Sequence, residues 1–269
     1  MTPLDFDFMA GMLKQRSGLI ITRDKQYLLE SRLIPLARKR GLGGLDDLVK
    51  KIRTGGDEAL LRDVTEAMTT NESFFFRDNK PFDIFKAETL PAFLKARADR
   101  RQIKIWSAAC STGQEAYSLA MILKEEQAKL AGWRVEITGT DLSSEVLEKA
   151  KVGLYSQFEV QRGLPIQMLI KYFQQVNEMW QIDAALRAMV KYRQFNLLDD
   201  LNALGSFDII FCRNVLIYFD NDTKAKVLER MAKIMPKDGV LFLGGAETVL
   251  GVTERFKPVQ GQRGVYALA

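Results

Sequence analysis

The 269-residue sequence contains no histidine. That absence excludes Ser-His-Asp and Cys-His catalysis, histidine-ligated zinc and any histidine general base. Cysteine occurs only twice, as Cys110 and Cys212. Two thiols cannot build a four-cysteine metal site, and over this length they fit a reducing compartment better than a secreted disulfide scaffold. No metal is therefore expected. Apolar runs such as Ile209–Cys212 fall far short of the roughly 20 residues that span a bilayer. The start, Met1 to Leu13, holds Asp5 and Asp7 and no base, so it does not read as a signal peptide. There is no internal repeat and no low-complexity segment. The expectation is a cytoplasmic protein without direct membrane insertion.

What is present is a globular composition, 47% hydrophobic and 27% charged, on a chain long enough to bury a core without disulfide or metal staples. The net charge of +5 is uneven: residues 14–53 carry 11 bases and four acids, whereas residues 54–269 carry 28 of each. Such a block is either a solvated helix face or a docking surface for something acidic, which could be nucleic acid, an anionic membrane or an acidic helix. The scarcity of aromatics among these bases argues against a platform for stacking single strands.

Apolar spacing predicts helices over 4–15, 24–40, 46–53 and 57–68, with breaks at Ser17-Gly18 and Gly55-Gly56. Asp24 is the expected N-cap of the second helix and Gly41 its stop, and Pro35 predicts a kink or an early end. Past residue 80 the pattern alternates: strand 103–108, helix 115–131, strand 135–140 ending at Asp141, helix 144–151, strand 190–195, strand 207–211, helix 223–235, strand 239–244. Segments 256–259 and 264–268 read as a closing antiparallel pair. Strands alternating with helices imply a parallel sheet.

A strand, a turn containing Gly113, a helix, and a second strand ending in Asp141 outline a nucleotide-type cofactor site, which in such sheets lies at the carboxyl ends of the strands. Asp141 could accept two hydrogen bonds from a ribose diol. The turn has one glycine and not the three of the dinucleotide fingerprint. A cofactor with a ribose but no phosphate fits better, S-adenosylmethionine being of that kind. On this pattern alone, a doubly wound domain with another ligand remains open.

Longer motifs narrow the reading. They are Ser17-Gly18-Leu19 through Gly41-Leu42, then Thr70-Asn71-Glu72-Ser73-Phe74-Phe75-Phe76-Arg77. Trp106 to Ser118 follows with Cys110-Ser111-Thr112-Gly113-Gln114-Glu115 at its centre, and Thr140-Asp141, Asn196-Leu197 and Cys212-Arg213-Asn214-Val215-Leu216-Ile217-Tyr218-Phe219 complete the series. In these the chain resembles, over nearly its whole length, the CheR family of chemotaxis receptor glutamate methyltransferases. The resemblance implies an α/β fold: a doubly wound, mostly parallel methyltransferase-type sheet with a closing antiparallel hairpin. It further implies a basic, receptor-facing helical domain over 1–70, an interdomain segment 71–80 that contributes to the active site, and a methyltransferase domain over 81–269 with a β-subdomain insert at about 152–195.

The resemblance also implies roles. Asn71, Ser73 and Arg77 would reach S-adenosylmethionine from the interdomain segment, Glu115 would hold its amino end and Asp141 its ribose hydroxyls. Asn196 and the Leu197 backbone would read the adenine, and Cys212 and Arg213 would line the cofactor mainly through backbone. Arg77 and Tyr218 would act catalytically, flanking the transferred methyl and the incoming carboxylate. Glutamate, with a pKa near 4.3, is already a nucleophile at pH 7, so the lack of histidine is no obstacle. Phe74, Phe75 and Phe76 read as packing, as do Trp106 and Trp133, and Cys212 as structural. The implied partner is the cytoplasmic helical domain of chemoreceptors, with S-adenosylhomocysteine as the second product. A nucleic-acid methyltransferase and a non-catalytic cofactor-binding scaffold stand as alternatives, although an N-P-P-Y-like motif and a cytosine-type Pro-Cys pair are missing. A monomer is expected. Because no glycine occurs from 164 to 204, the insert is not expected to dock a receptor's C-terminal pentapeptide as an added strand.

Overall fold

The computed structural model describes residues 1–55 and 57–269. Gly56, half of the expected break at Gly55-Gly56, lies outside the described residues; Gly55 has φ 100°. The chain divides into two units, one formed by Met1–Thr70 with Tyr218–Thr223 and the other by Asn71–Ile217 with Lys224–Ala269.

The first unit is helical. Helix α1 (Pro3–Ser17) starts on a capping box between Thr2 and Asp5 with proline in the first turn, and ends at Gly18, whose φ of 78° suits glycine. Helix α2 (Gln26–Lys39) follows a 3-10 turn, Arg23–Lys25. Asp24 lies inside that turn, so Lys25 takes the N-cap position without a side-chain cap. The helix neither stops nor shortens at Pro35; it gives up one backbone bond and runs on to Lys39. Its stop at Gly41 is as expected: Gly41 has φ 71° and the Leu42 N–H donates to the Ala37 carbonyl at 2.9 Å. Helices α3 (Leu45–Arg53) and α4 (Glu58–Ala67) complete the unit, α4 capped by Asp57. Phe6, Met9 and Leu13 of α1, Leu29 and Leu33 of α2, Leu48 and Ile52 of α3, and Leu60 and Val64 of α4 recur at helical spacing and form one core.

Much of the basic surplus is engaged within this unit. Arg16 pairs with Glu58, Arg23 with Asp7, Arg53 with Asp5 and Arg40 with Asp63. Lys14 pairs with Asp220 at 2.6 Å. Arg32 donates to the carbonyls of Met68 at 2.7 Å and Thr69 at 2.8 Å and to the Thr70 hydroxyl at 3.0 Å. It therefore ties down the end of α4 and is not a free docking charge.

The second unit opens with α5 (Lys80–Ile84), a π-helical turn (Phe85–Thr89) and α6 (Leu90–Ala96). Then come β1 (Gln102–Ala108), α7 (Gln114–Glu125), β2 (Arg134–Asp141) and α8 (Ser144–Val152). Helix α7 is shorter than expected, because residues 126–131 close through i to i+3 bonds such as Lys129 N–H to Glu126 O before Gly132, φ 77°. An insert follows, with β3 (Leu154–Ser156), α9 (Gln157–Gln161), α10 (Ile166–Tyr172), β4 (Phe173–Val176), β5 (Met179–Ile182) and α11 (Ala184–Ala188). Its strands form a separate antiparallel sheet in the order β3-β5-β4. The last elements are β6 (Val190–Gln194), β7 (Ile209–Cys212), α12 (Asn221–Lys233), β8 (Val240–Leu243), β9 (Phe256–Pro258) and β10 (Val265–Leu268).

The main sheet has seven strands in the order β6-β2-β1-β7-β8-β10-β9. The first five are parallel, and β10 runs antiparallel to both β8 and β9. This is the mostly parallel α/β sheet with a closing antiparallel pair that the alternating pattern predicted. The order reverses between β1 and β7, which places a crevice at the carboxyl ends of those two strands. Under it, the Phe211 and Phe242 rings stack at 4.3 Å, and Trp106 is fully buried with its indole N–H on the Thr140 hydroxyl at 2.9 Å.

Candidate functional site

The loop after β1 is bent by three residues of positive φ, Ala109 at 55°, Ser111 at 51° and Gly113 at 92°. Gly113 is required there: a Cβ would come within 2.7 Å of the Tyr192 hydroxyl and 2.9 Å of the Ala150 Cβ. The loop is pinned from three sides. The Cys110 N–H donates to the Thr140 carbonyl at 2.9 Å, the Tyr155 hydroxyl to the Thr112 carbonyl at 2.7 Å, and the Ser111 hydroxyl to the Asn71 carbonyl at 2.7 Å.

Asp141 ends β2 and is 6% exposed. One carboxylate oxygen accepts the Ser111 N–H at 2.8 Å and the other the Ser143 N–H at 3.0 Å. The Phe195 N–H donates to the Asp141 carbonyl at 2.9 Å, which brings Asn196 and the buried Leu197 beside the same strand end. Asn196 turns its side-chain oxygen onto the Leu198 N–H at 3.0 Å.

Glu115, in the first turn of α7, faces the end of β7. Its carboxylate accepts the Ser107 hydroxyl at 2.8 Å and Arg213 Nη1 at 3.0 Å. Burial pushes the Glu115 carboxyl up from its ordinary value, and Arg213 only partly opposes this. Arg213 is itself buried; its Nη2 donates to the Arg77 carbonyl at 2.8 Å and the Asp78 carboxylate at 2.7 Å. The Arg213 Nε is buried without a partner. Cys212 is the last residue of β7, and burial raises its thiol well above the ordinary range, so it stays protonated and unreactive.

Segment 71–78 is thus tied to both loops, through Asn71 to the Gly113 loop and through Arg77 and Asp78 to Arg213. It turns sharply, with positive φ at Phe76, Asp78 and Asn79, and the Phe76 N–H is held by the Ser118 hydroxyl at 2.9 Å. Phe75 and Phe76 are buried as expected, whereas Phe74 is half-buried under two arginines. The side chains of Ser73 and Arg77 are half-buried. Of the residues given a role at the site from the sequence, only Tyr218 falls in the helical unit, where its carbonyl accepts the Ile20 N–H at 2.9 Å.

Sequence reasoning gave no role to Glu247. It is buried after β8, and its two oxygens accept four backbone N–H groups, from Asn214 at 2.8 Å, Val215 at 2.9 Å, Ile217 at 3.3 Å and Gly244 at 2.7 Å. That carboxylate shapes the loop following Arg213. An acid just past Gly244-Gly245 at a strand's carboxyl end was the available signal.

The donor set suits a ligand with a diol and an ammonium group and no phosphate. Two carboxylates, the buried Asp141 and the largely buried Glu115, border the crevice at the β1–β7 reversal, and the β1 loop carries a single glycine. S-adenosylmethionine meets that description. No group of His, Cys, Asp and Glu suited to a metal ion occurs among the described residues. Nor is any described helix long and apolar enough to cross a membrane.

Comparison with known proteins agrees. Residues 71–265 match the family model described as CheR methyltransferase, SAM binding domain, and residues 4–69 match CheR methyltransferase, all-alpha domain. The chain is 38% identical to chemotaxis protein methyltransferase Cher2 of Pseudomonas putida, covering 97% of this chain and 96% of that one. It is 40% identical to chemotaxis protein methyltransferase 1 of Pseudomonas aeruginosa over 97% and 96% of the two chains, and 40% identical to the protein of that name from Vibrio cholerae over 94% and 92%.

Proposed function

This chain belongs to the CheR methyltransferase family and is an S-adenosylmethionine-dependent chemotaxis methyltransferase, and on that premise we propose that it esterifies glutamate side chains on the cytoplasmic helices of chemoreceptors. The observation that carries this reading is the fastening of Arg77 beside the crevice. Its backbone carbonyl is held by Arg213, which is in turn paired to Glu115.

S-adenosylmethionine supplies an electrophilic methyl group on a sulfonium centre. Asp141 accepts hydrogen bonds from the ribose, Glu115 receives the ammonium, and Asn196 with the Leu197 backbone reads the adenine edge. Asn71, Ser73 and the strand end at Cys212–Arg213 close the remaining sides. Arg77 orients the substrate carboxylate, whose shape a guanidinium matches. Tyr218, placed in this role by the Cys212–Phe219 motif, steadies the carboxylate with its hydroxyl. No protein group removes a proton, because the glutamate reacts as the anion it already is at neutral pH. Alignment and exclusion of water are the remaining demands.

The helical unit presents the receptor-facing surface in this reading. With Arg32 and several other bases engaged, the exposed Lys25, Arg38, Lys39, Lys50 and Lys51 carry the attraction for an acidic helix. The tether-independent reading of the insert needs a different reason from the one the sequence suggested. Asn177 takes a positive φ of 55° between β4 and β5, so this turn finds its left-handed residue without glycine. What it lacks is glycine's bare backbone, against which a receptor tail could lie closely.

Transfer of label from methyl-tritiated S-adenosylmethionine tests the proposal, with receptor cytoplasmic fragments, tRNA and DNA offered in parallel. Label on the receptor fragment alone is expected. Label on either nucleic acid would replace this reading.

A further inference from the structure

The ring of Phe74 lies within cation–π range of two guanidinium groups, that of Arg162 at 4.3 Å and that of Arg77 at 5.4 Å from the ring centre. Glu72 engages the same two arginines. Its carboxylate pairs with Arg162 at 2.5 Å, while its backbone carbonyl accepts Arg77 Nη1 at 3.0 Å. The hydrogen bond from Arg162, with the charges of Arg162 and then Arg77, holds the Glu72 carboxyl below its ordinary value. Arg162 caps the end of α9 in the insert. The following residue, Gly163, has φ 83° and sits so close to this segment that a Cβ would stand 2.1 Å from the Phe75 carbonyl oxygen and 3.1 Å from the Phe74 ring. The insert therefore meets segment 72–77 at a seated corner and not by chance approach of long side chains.

Two arginines and one carboxylate compete here. A guanidinium that is to receive a substrate carboxylate must not be neutralised by a neighbouring acid. Two acids flank Arg77 in sequence, Asp78, which Arg213 holds, and Glu72, which Arg162 occupies. We propose that Arg162 is a positioning residue for methyl transfer: by holding the Glu72 carboxylate and sharing the Phe74 ring, it keeps the Arg77 guanidinium open to the incoming glutamate. The inference rests on the role given to Arg77 above. Without Arg162, the Glu72 carboxylate turns to Arg77 and draws it into an internal ion pair.

The test is a set of variants of the full chain, assayed for receptor-fragment methylation at saturating S-adenosylmethionine. S-adenosylhomocysteine affinity is measured by calorimetry and folding by thermal unfolding. Arg162→Ala should lower kcat about tenfold, the scale at which losing one alignment becomes visible. Its S-adenosylhomocysteine affinity and unfolding temperature should be unchanged, since Arg162 and Glu72 are both largely exposed. Adding Glu72→Gln to Arg162→Ala should restore most of the rate, because the competing charge is gone; a merely structural role for the pair would show no such rescue. Normal turnover by Arg162→Ala, or a double variant as slow as the single one, overturns the proposal. Arg77→Ala measured alongside separates the two readings. If Arg77→Ala is slow and Arg162→Ala is normal, only the Arg162 role falls; if Arg77→Ala is itself normal, the catalytic assignment of Arg77 falls and takes this inference with it.

Discussion

At the scale of single residues, the crevice is defined by two acids in contrasting surroundings. Asp141 has each oxygen on a backbone N–H, so its side chain shapes the Gly113 loop, and the proposal adds to this a role on the cofactor ribose. A hydrogen bond to a charged group is worth about 1.5–3 kcal/mol. Asp141→Ala should therefore weaken S-adenosylhomocysteine binding by about one to two orders of magnitude, measured by calorimetry; unchanged affinity would remove Asp141 from the site. Glu115 is the acid whose burial raises its pKa. Its charged form is present above that raised value and is lost as pH falls through it, at a higher pH than an ordinary glutamate near 4.3 requires. Cofactor affinity should thus decline on mild acidification in the wild type, whereas Glu115→Gln should bind weakly with little dependence on pH over the same window. A wild-type affinity that is flat down to the ordinary carboxylate range would contradict the assignment.

At the scale of elements, the sheet was legible because its strands are short apolar runs that end in polar or glycine residues, as Ile209–Cys212 ends at Arg213. The helix over 114–125 was legible in its start and not in its end, since residues 126–131 have helical composition but close in tighter turns. The insert was only partly readable: β4 and β5 are amphipathic and short, and the small helices α9 to α11 lack a long periodic pattern. The acids and bases in the motifs could be named from the sequence, but not their pairings. Nothing in the local pattern announces that Arg213 bridges Glu115 to Asp78, or that Glu247 gathers four N–H groups from two loops. A similar long-range pairing holds the opposite end of the sheet. Arg97, just past α6, is buried against Asp208, which also accepts the Lys104 N–H at 2.9 Å. Asp208 also pairs with Arg100 at 2.5 Å, so removing Arg97 leaves its charge partly compensated and costs less than the about 3–5 kcal/mol of a buried charge left alone. Arg97→Met should lower the denaturation midpoint accordingly while leaving S-adenosylhomocysteine affinity in the surviving native protein near normal. An unchanged midpoint would show the pair to be inconsequential.

At the scale of the whole molecule, the proposed labour is divided between a helical unit that attracts an acidic helix and an α/β unit that holds the cofactor. Arg38 and Lys39 are exposed near the end of α2 and carry charge without the structural duty of Arg32. Reversing both to glutamate should raise the receptor-fragment KM and flatten its dependence on salt, because attraction between exposed charges is screened over about 10 Å at 0.1 M ionic strength. Affinity for S-adenosylhomocysteine should not change, and a KM equal to wild type would deny the surface its role. In the proposed reaction the methyl group ends on a glutamate carboxylate. The most direct measurement of this is the chemistry of the labelled product. After transfer from methyl-tritiated S-adenosylmethionine to a receptor cytoplasmic fragment, mild alkali should release the label as volatile methanol, as an ester requires. A fragment whose methylation-helix glutamates are replaced by glutamine should accept none. Label that withstands alkali, or that appears undiminished on the glutamine-substituted fragment, would contradict esterification of glutamate.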